Sequence, residues 1–502
     1  MTIPTGNPMV DAISWGGAQW AVPASGNLEL TYFMANDFFV WETVEIDSYA
    51  AAFQALADVA GFSIRQVFSE AQADIVAHSV NSQDMQDLIG LSGVLGFHEI
   101  PTSQASTTQL HGYYNWEGYS LPEVGWDYDP GGLAVGGYGY FTFIHELAHG
   151  LGGAHPHDDG GGSGFFPGVR TEFDTGTNDQ NQGFFTVLSY NGGWTVEQNP
   201  EGNGIADHGY NATPGAYDIA LLQYYYGANL NLNNGNTTYV LPETGALSTI
   251  WDTGGTDRII YSGTADVVIN LNSATLDGSQ TGGGSPSYIP NTGAQSYYGA
   301  FAIAADFMNA LGDEGGETGV IIENAFGGQG SDQLTGNGVG NRLVGRNGND
   351  ELVGAGGNDT LSGGAGSDTI IGGSANDRLV GGDDLDILSG GIGNDTHVGG
   401  AGDDRISSGP GDRDVVIGGG GADRFTFKLG SGKDIVRDMQ DDIDIIRLDA
   451  DLWGGGLTVQ QVLDTYARDT GANVNLRFDD GDIMVLLGVS NISDLADDII
   501  FI

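Results

Sequence analysis

The sequence predicts a mixed α+β domain followed by an all-β array of parallel repeats and a β-sandwich-like C-terminal domain. Residues 1 to about 240 combine segments of helical and of strand periodicity, as a mixed domain does. From Gly327, nine-residue units run without a gap to Ser407, and two more units after Ser408 end at Thr426. With 502 residues, the chain is long enough for several hydrophobic cores.

The first 240 residues contain five segments with a clear periodicity. Residues 45–62 carry apolar side chains at helical spacing, which predicts a helix that packs against the core. Residues 62–69 and 73–80 alternate between apolar and polar, which predicts two strands joined by a short polar turn. Residues 139–152 and 213–227 predict two further helices, each ended by a glycine.

The composition excludes several classes of function. The chain has 15 Lys and Arg against 66 Asp and Glu, a formal net charge of −51, which disfavours binding to nucleic acid and favours multivalent cations. It has no cysteine, so disulfides, iron–sulfur clusters and thiol catalysis are excluded. No run of roughly 18 apolar residues occurs, so we expect no stable membrane insertion. The N-terminus lacks the pattern of a signal peptide, so any export must be signalled elsewhere.

The repeat units, such as GGSANDRLV, predict a calcium-binding array. Each has glycines among its first four positions, an acid at position six and an apolar residue at position eight, a pattern known from parallel β-helical repeats that bind Ca²⁺. Glycine permits tight turns, and carboxylates supply the oxygen ligands that calcium prefers. A flexible glycine linker would not explain the regular acids. The predicted calcium ligands are Asp332, Asp350, Asp359, Asp368, Asp377, Asp386, Asp395, Asp404, Asp414 and Asp423.

Three residues depart from the repeat pattern. Asn341 replaces the acid of the second unit, His397 takes an inward-facing position, and Ser408 interrupts the nine-residue period. We expect a weakened or missing ion near Asn341 and local irregularity near the other two.

A second motif, HELAHGLGGAH at 145–155, predicts a zinc site. His145 and His149 are four residues apart, so on a helix their imidazoles share one face and can bind one zinc ion. Gly152 would end the helix and turn the chain, so that His155 becomes the third ligand. Three imidazoles leave a position open for water, as in catalytic sites. Glu146 lies on the same side and can take a proton from that water.

This extended motif resembles that of the metzincin metalloproteases, and with the calcium array the chain resembles their serralysin branch. The residues that carry the resemblance are GGYGYFTFIHELAHGLGGAHP (136–156), TIWDTGGTDRIIYSG (249–263), VIIENAFGG (320–328) and GKDIVRDMQDDIDIIRLD (432–449). The repeats resemble the RTX β-roll, in which two units form one coil and calcium ions lie between successive turns. The implied fold is a metzincin-type catalytic domain followed by an RTX β-roll.

One position departs from the serralysin pattern. In that family a methionine lies beneath the zinc, and two residues later comes a tyrosine that can ligate the metal or form hydrogen bonds. FTVLSYNGG (185–193) has Tyr190 at the tyrosine position but Leu188 in place of the methionine. Leucine has about the same volume, so we expect the zinc site to survive with an altered rate.

The resemblance implies a domain organisation. We assign residues 1–240 to a zinc metalloprotease domain and 241–326 to a connecting β segment. The calcium-binding β-roll takes 327–426, and 427–502 form a C-terminal β domain with a secretion signal.

The implied function is that of a secreted zinc endopeptidase, stabilised by calcium, with Glu146 as general base. It would act as a monomer on proteins and peptides. DDIIFI (497–502) resembles a C-terminal signature read by type 1 secretion machinery, although a buried strand end is an equal interpretation. The alternatives are a calcium-dependent RTX adhesin or binding protein with a vestigial metal site, and a hydrolase of non-peptide amides.

Overall fold

A computed structural model divides the chain into two compact units. It describes residues 5, 7–90, 94–117, 132–157, 165–171, 174, 176, 181–182, 185–190, 210–242, 246–276, 284–290, 300–305, 320–411, 413–479 and 481–502. The first unit comprises Met1–Asn236, Leu241–Gly255 and Ser273–Ile321, and the second comprises Thr237–Val240, Thr256–Asn272 and Ile322–Ile502. The predicted connecting segment 241–326 therefore contributes to both units. No helix in the described part of the chain is long and apolar enough to cross a membrane.

The first unit contains five α-helices among its described residues. They are α1 (Pro8–Ala12), α2 (Thr43–Val59), α3 (Ser82–Ile89), α4 (Tyr138–Gly150) and α5 (Ala216–Tyr226). The chain's own caps explain two of the boundaries. Glu45 accepts a hydrogen bond from the backbone N–H of Glu42 at the start of α2, and Asn81 accepts from two N–H groups at the start of α3.

A five-stranded sheet accompanies these helices. Its strands are β1 (Leu28–Ala35), β2 (Phe62–Gln66), β3 (Ile75–Val80), β4 (Gly96–His98) and β5 (Leu110–Asn115). The order is β2-β1-β3-β5-β4, and only the edge strand β4 runs antiparallel to its neighbour. The two strands predicted at 62–69 and 73–80 exist as β2 and β3, and they pair in parallel with β1 on its two sides.

The core of this unit is aromatic and lies between α2, α4 and the sheet. Tyr49 of α2, Tyr114 of β5 and Phe143 of α4 are fully buried, with ring centroids 5.2–5.6 Å apart. Every residue of α4 from Gly139 to Gly150 is buried, so this helix is enclosed on all sides. Its position is therefore fixed by packing over its whole length.

Four further short strands belong to the first unit. They are β6 (Tyr210–Asn211), β8 (Ala246–Ile250), β11 (Ser287–Tyr288) and β12 (Ala300–Ile303). β8 pairs in parallel with β6 and β12, and β11 pairs antiparallel with β12.

The second unit is built from two sheets whose strands alternate along the chain. The first sheet contains β7 (Thr238–Val240), β9 (Arg258–Ile260), β13 (Asn324–Phe326), β15 (Arg342–Asn347), β17 (Thr360–Ala365), β19 (Arg378–Asp383), β21 (Thr396–Ala401), β23 (Val415–Gly420), β25 (Lys433–Val436), β27 (Ala467–Asp469), β28 (Asn473–Arg477) and β29 (Ile483–Leu487). The second sheet contains β10 (Val268–Asn270), β14 (Gln333–Thr335), β16 (Glu351–Gly356), β18 (Thr369–Ser374), β20 (Ile387–Ile392), β22 (Arg405–Ser407), β24 (Arg424–Phe427), β26 (Ile445–Leu448) and β30 (Ile499–Phe501).

Two repeat units make one coil of this second unit. Leu343 pairs with Leu361 in the first sheet and Leu352 pairs with Ile370 in the second, so parallel neighbours are two units apart in sequence. The position-eight side chains are buried in both sheets, as the sequence predicts. The array thus combines parallel strand pairing between coils with a narrow apolar core, which is consistent with a β-roll.

The glycines of the repeat serve two steric purposes. A Cβ at the first glycine of a unit, such as Gly363, would lie 2.0 Å from Oδ2 of the acid in the same unit, here Asp368. The second glycine, such as Gly382, has a positive φ of 136°, and a Cβ there would lie 1.9 Å from the carbonyl oxygen of Gly364 in the preceding coil. Glycine at the first position therefore lets the carboxylate of the unit lie against the backbone, and glycine at the second position lets successive coils lie against each other.

The tenth unit absorbs its extra residue in a different place from the one predicted. In other coils, the carbonyl oxygen of a unit's first glycine lies next to the first glycine one coil earlier. Beside Gly390 this place is taken by the carbonyl oxygen of Ser408, which lies 2.6 Å from a Cβ built on Gly390. Gly411 in turn contacts Gly393 of the preceding coil, with normal spacing. The backbone N–H of Asp395, however, donates to Asp414, one residue later than the usual spacing, so the insertion lies between Gly411 and Asp414.

The C-terminal segment also differs from the expectation of a β-sandwich-like domain. β25 pairs in parallel with β23, and β26 pairs in parallel with β24, so this segment extends both sheets of the repeat array. Its remaining strands complete those sheets, and helix α6 (Val459–Tyr466) begins at the Thr458 cap. The open strands at the end of a parallel array need hydrogen-bond partners, and this segment supplies them.

Candidate metal centre

The three histidines of the HELAHGLGGAH stretch meet at one point. His145 and His149 project from the same face of α4, and the chain turns at Gly152, whose φ is +101°. A Cβ at Gly152 would lie 2.1 Å from the carbonyl oxygen of Ala18, so only glycine fits this turn. The turn returns His155, and the three Nε2 atoms lie 3.0–3.2 Å from one another.

The ring nitrogens are arranged as a ligand set. Nδ1 of His145 is 2.6 Å from the carbonyl oxygen of Val187, and Nδ1 of His149 is 3.0 Å from that of Gly153. When each Nδ1–H donates to its carbonyl, the Nε2 lone pair points to the shared centre, as in zinc sites. Nitrogens about 2.1 Å from a tetrahedral zinc ion are about 3.4 Å apart, close to the observed spacing. Burial lowers the pKa of His145 and His155 well below the usual value, which keeps both rings neutral.

Glu146 lies between α4 and the edge strand β4. Its side chain is 8% exposed, and the backbone N–H of His98 donates a hydrogen bond to its carboxylate. Gly96 of β4 has no side chain to displace it, since a Cβ there would lie 2.5 Å from Cγ of Glu146. Burial raises the pKa of Glu146 to about 8, and the hydrogen bond from His98 opposes this shift. The carboxylate is therefore a buried group that binds a proton readily.

Residues 185–190 form a turn that contacts the histidine-bearing segment. Asp218, at the start of α5, accepts hydrogen bonds from Thr186 Oγ1 at 2.6 Å and from the backbone N–H of Val187 at 2.7 Å. Val187 in turn places its carbonyl against His145. Leu188 is fully buried, and its Cδ1 would lie 2.8 Å from a Cβ at Gly153, so it packs directly beside the carbonyl partner of His149. Leucine thus fills the position where a methionine was expected.

Tyr190 and His157 complete the surroundings of the three histidines. The Tyr190 ring is 49% exposed and lies 4.5 Å from the His155 ring and 5.8 Å from the His145 ring, measured between centroids. His157 stacks on His155 at 4.9 Å and lies 4.8 Å from Tyr190. Tyr190 therefore lies against the histidines on one side and is open to solvent on the other.

A separate row of buried carboxylates runs along the repeat array. In each, Oδ1 accepts a hydrogen bond of 2.7–3.0 Å from the backbone N–H of the corresponding residue one coil earlier. Oδ2 is buried and has no hydrogen-bond partner within the described residues. The row consists of Asp350, Asp359, Asp368, Asp377, Asp386, Asp395, Asp404, Asp414 and Asp423.

Such a row needs cations. Burial raises the pKa of Asp350, Asp359 and Asp386 to about 7, because a buried carboxylate without a partner is unfavourable. A hard cation that takes six to eight oxygens satisfies these atoms, so the donor set fits calcium.

The first two units of the array differ from this row. Both oxygens of Asp332 accept backbone N–H groups, from Val267 at 2.9 Å and from Gly328 at 2.6 Å. The side chain of Asn341 accepts from Asn337 and donates to the carbonyl of Glu323. Asp332 and Asn341 thus satisfy their side chains within the protein, and the assignment of Asp332 as a calcium ligand stays a prediction.

Three residues around the histidines were not predicted from the sequence. Gly96 and the backbone of His98 contact Glu146, and Asp218 contacts Val187, in each case through segments distant in sequence. Asp218 had a local signal, because an acid in the first turn of a helix can accept from the backbone there, but its link to Val187 is long-range.

A family model and several proteins of known class resemble this chain. The model of the RTX calcium-binding nonapeptide repeat (4 copies) matches residues 326–361, 335–370, 362–396, 389–425 and 398–436. The repeat array is therefore an RTX calcium-binding array.

Similar proteins include serralysins and proteins named as metalloproteases. A serralysin from Photorhabdus laumondii is 30% identical over 61% of this chain and 56% of its own length. The metallopeptidase AprA from Pseudomonas marginalis is 31% identical over 41% of this chain and 38% of its own, and the metalloprotease AprA from Pseudomonas entomophila is 33% identical over the same shares. The chain thus spans between 38% and 56% of the length of these three relatives. Over the matched part the chain resembles serralysins, and it carries RTX repeats.

Among solved structures, the extracellular lipase LipA from Serratia marcescens aligns with 16% sequence identity over 40% of this chain and 44% of that chain, with a TM-score of 0.19.

Proposed function

We propose that the chain is a secreted zinc endopeptidase of the metzincin type, stabilised by calcium. The observation that carries the proposal is the convergence of three Nε2 atoms within 3.0–3.2 Å of one another. The buried Glu146 follows the first of these histidines on the same helix. The similarity to named metalloproteases supports the same class of reaction. In this proposal His145, His149 and His155 hold zinc.

Bound zinc would lower the pKa of a coordinated water and polarise the scissile carbonyl. Glu146 acts on the proton: it accepts one from the attacking water, whose oxygen adds to the carbonyl carbon. It then donates that proton to the amine nitrogen as the C–N bond breaks. Burial favours this role, because it raises the proton affinity of the carboxylate.

The edge strand and Tyr190 orient the substrate in this proposal. β4 lies at the edge of its sheet, so an extended peptide can add to it by main-chain hydrogen bonds next to Glu146. The phenol of Tyr190, whose ring lies beside that of His155, donates a hydrogen bond to the oxygen on which negative charge develops. Ligation of the metal by Tyr190 in the resting state is a further part of the proposal.

Calcium and export complete the proposal. The unpartnered oxygens repel each other without calcium, so the array would stay unfolded at low calcium and fold outside the cell. Type 1 secretion machinery would read the C-terminal DDIIFI. The substrates are proteins and peptides, and the chain acts as a monomer. Catalysis is assigned to residues 1–240 and calcium binding to 327–426.

Leu188 favours one alternative, an RTX adhesin or binding protein whose metal site is vestigial. Cleavage of casein by the calcium-loaded full chain separates the two. We expect cleavage by the natural chain, abolition by zinc chelation, and a loss of about 10²-fold or more in Glu146→Gln, which removes the proton acceptor. Glu70→Gln, on an exposed turn, serves as the control and should retain activity. Equal cleavage by the Glu146→Gln and Glu70→Gln variants would overturn the proposal.

A further inference from the structure

The last strand of the chain is attached at a place with unusual charge. β30 pairs in parallel with β26, and the backbone N–H of Ile446 donates to the carbonyl of Asp498 at 2.8 Å. The backbone N–H of Ile502 donates to the carbonyl of Leu448 at 3.0 Å. Asp498 is thus the residue at which the chain enters its final strand.

Three carboxylates from two segments meet at that point. Oxygens of Asp441, Asp442 and Asp498 lie within 4.8 Å of one another. Asp441 and Asp442 are exposed residues of the turn before β26, which lies opposite the start of β30. Two segments far apart in sequence therefore present like charges to each other.

Asp498 distinguishes this cluster from an ordinary acidic surface. It is only 4% exposed, and its Oδ2 has no hydrogen-bond partner within the described residues. The backbone N–H of Asp442 donates to its carboxylate, which holds the group in place. Asp441 cannot serve as that partner while both groups are ionised, because two carboxylates offer only acceptors, and a hydrogen bond between them would require one of them to carry a proton. A buried oxygen without a partner is the feature that also marks the repeat carboxylates.

Neighbouring acids increase the negative charge. Desolvation, and then the charges of Asp442, Asp494 and Asp497, raise the pKa of Asp441. Burial and then Asp441 raise the pKa of Asp498 to about 6. The negative electrostatic potential at the cluster therefore favours binding of a cation.

We propose that Asp441, Asp442 and Asp498 form a calcium site that fastens the C-terminal strand to the turn before β26. Three carboxylates offer up to six oxygens, and water or backbone carbonyls can complete the shell of a hard cation. The site lies beyond the nine-residue repeats and uses none of their position-six acids. It makes the docking of the final residues, DDIIFI, dependent on calcium, independently of any peptidase activity.

The test uses the full chain with calcium alone as the probe. The variant is Asp441→Asn with Asp442→Asn, in which asparagine retains the shape and tolerates the positive φ of 60° at Asp442. The control is Asp451→Asn with Asp464→Asn, which removes the same charge from exposed positions of the same segment. Bound calcium is counted by elemental analysis after equilibrium dialysis, and hydrogen exchange is followed at the Ile502 amide.

We expect the variant to bind one calcium ion fewer per chain than the control. At free calcium about ten times the dissociation constant of the site, Ile502 should exchange about tenfold faster in the variant than in the control. In chelator the two proteins should exchange alike. Casein cleavage should be equal in both, so failure of this proposal is distinguishable from failure of the proposed function. An unchanged ion count, or unchanged exchange at Ile502, overturns the proposal.

Discussion

A single methyl group at Gly96 should impair catalysis without removing the metal. In Gly96→Ala, the new Cβ would lie 2.5 Å from Cγ and 2.8 Å from Oε1 of Glu146, whereas ordinary contacts begin at 3.4 Å. Glu146 must therefore withdraw by about 0.9 Å. A misplacement of about 1 Å in a catalytic group can lower the rate about 10²-fold, equivalent to about 2.7 kcal/mol in the activation free energy.

The assay is kcat for a fluorogenic peptide, with zinc content measured on the same samples. Gly235→Ala is the control, since a Cβ at this exposed glycine has no neighbour within 4 Å. Because Gly96 is argued to act through Glu146, adding Gly96→Ala to Glu146→Gln should cause little further loss. Full activity in Gly96→Ala would refute the reasoning, as would a loss of similar size in the Glu146→Gln background.

Three other changes have defined outcomes. Tyr190→Phe should lower kcat by about 10²-fold with zinc retained, because one donor to the developing oxyanion is lost; wild-type kcat would contradict this role. Leu188→Met should change the free energy of unfolding by less than about 1.5 kcal/mol, since the volumes are similar, which urea denaturation can measure. Without calcium, the pKa of a row carboxyl such as Asp350 rises from 3.8 to about 7, so the folded array holds protons that the unfolded chain releases. In chelator the array should therefore lose stability as the pH rises from about 4 to about 7, so that its β-sheet circular dichroism is present at about pH 5 and largely lost at about pH 7.5; the opposite trend would contradict the burial of these groups.

Local periodicity accounts for much of what was predictable. The spacing of His145, His149 and Gly152 follows from helix geometry and one tight turn, so the meeting of the imidazoles could be expected from the sequence. The position-eight residues are buried in both sheets for the same reason, since each unit repeats its neighbour. The predicted helices at 45–62, 139–152 and 213–227 correspond to α2, α4 and α5, with ends shifted by a few residues.

Long-range pairing accounts for what was missed. β1 separates the two predicted strands, and no local signal says that a parallel neighbour comes from earlier in the chain. The contact of Gly96 with Glu146 and the link from Asp218 to Val187 arise only when distant segments meet. The position of the extra residue in the tenth unit also depends on distant segments. The sequence allows it at Ser408 or a few residues later, and only the contacts with the preceding coil decide between the two positions.

The central claim is that three imidazoles bind one zinc ion. Elemental analysis of the purified, calcium-loaded full chain tests it most directly, with His149→Ala as the matched variant. The structure predicts one zinc ion per natural chain, lost in the variant while calcium content stays the same. A natural chain that takes up no zinc when supplied with it, or a variant that retains it, would contradict the account.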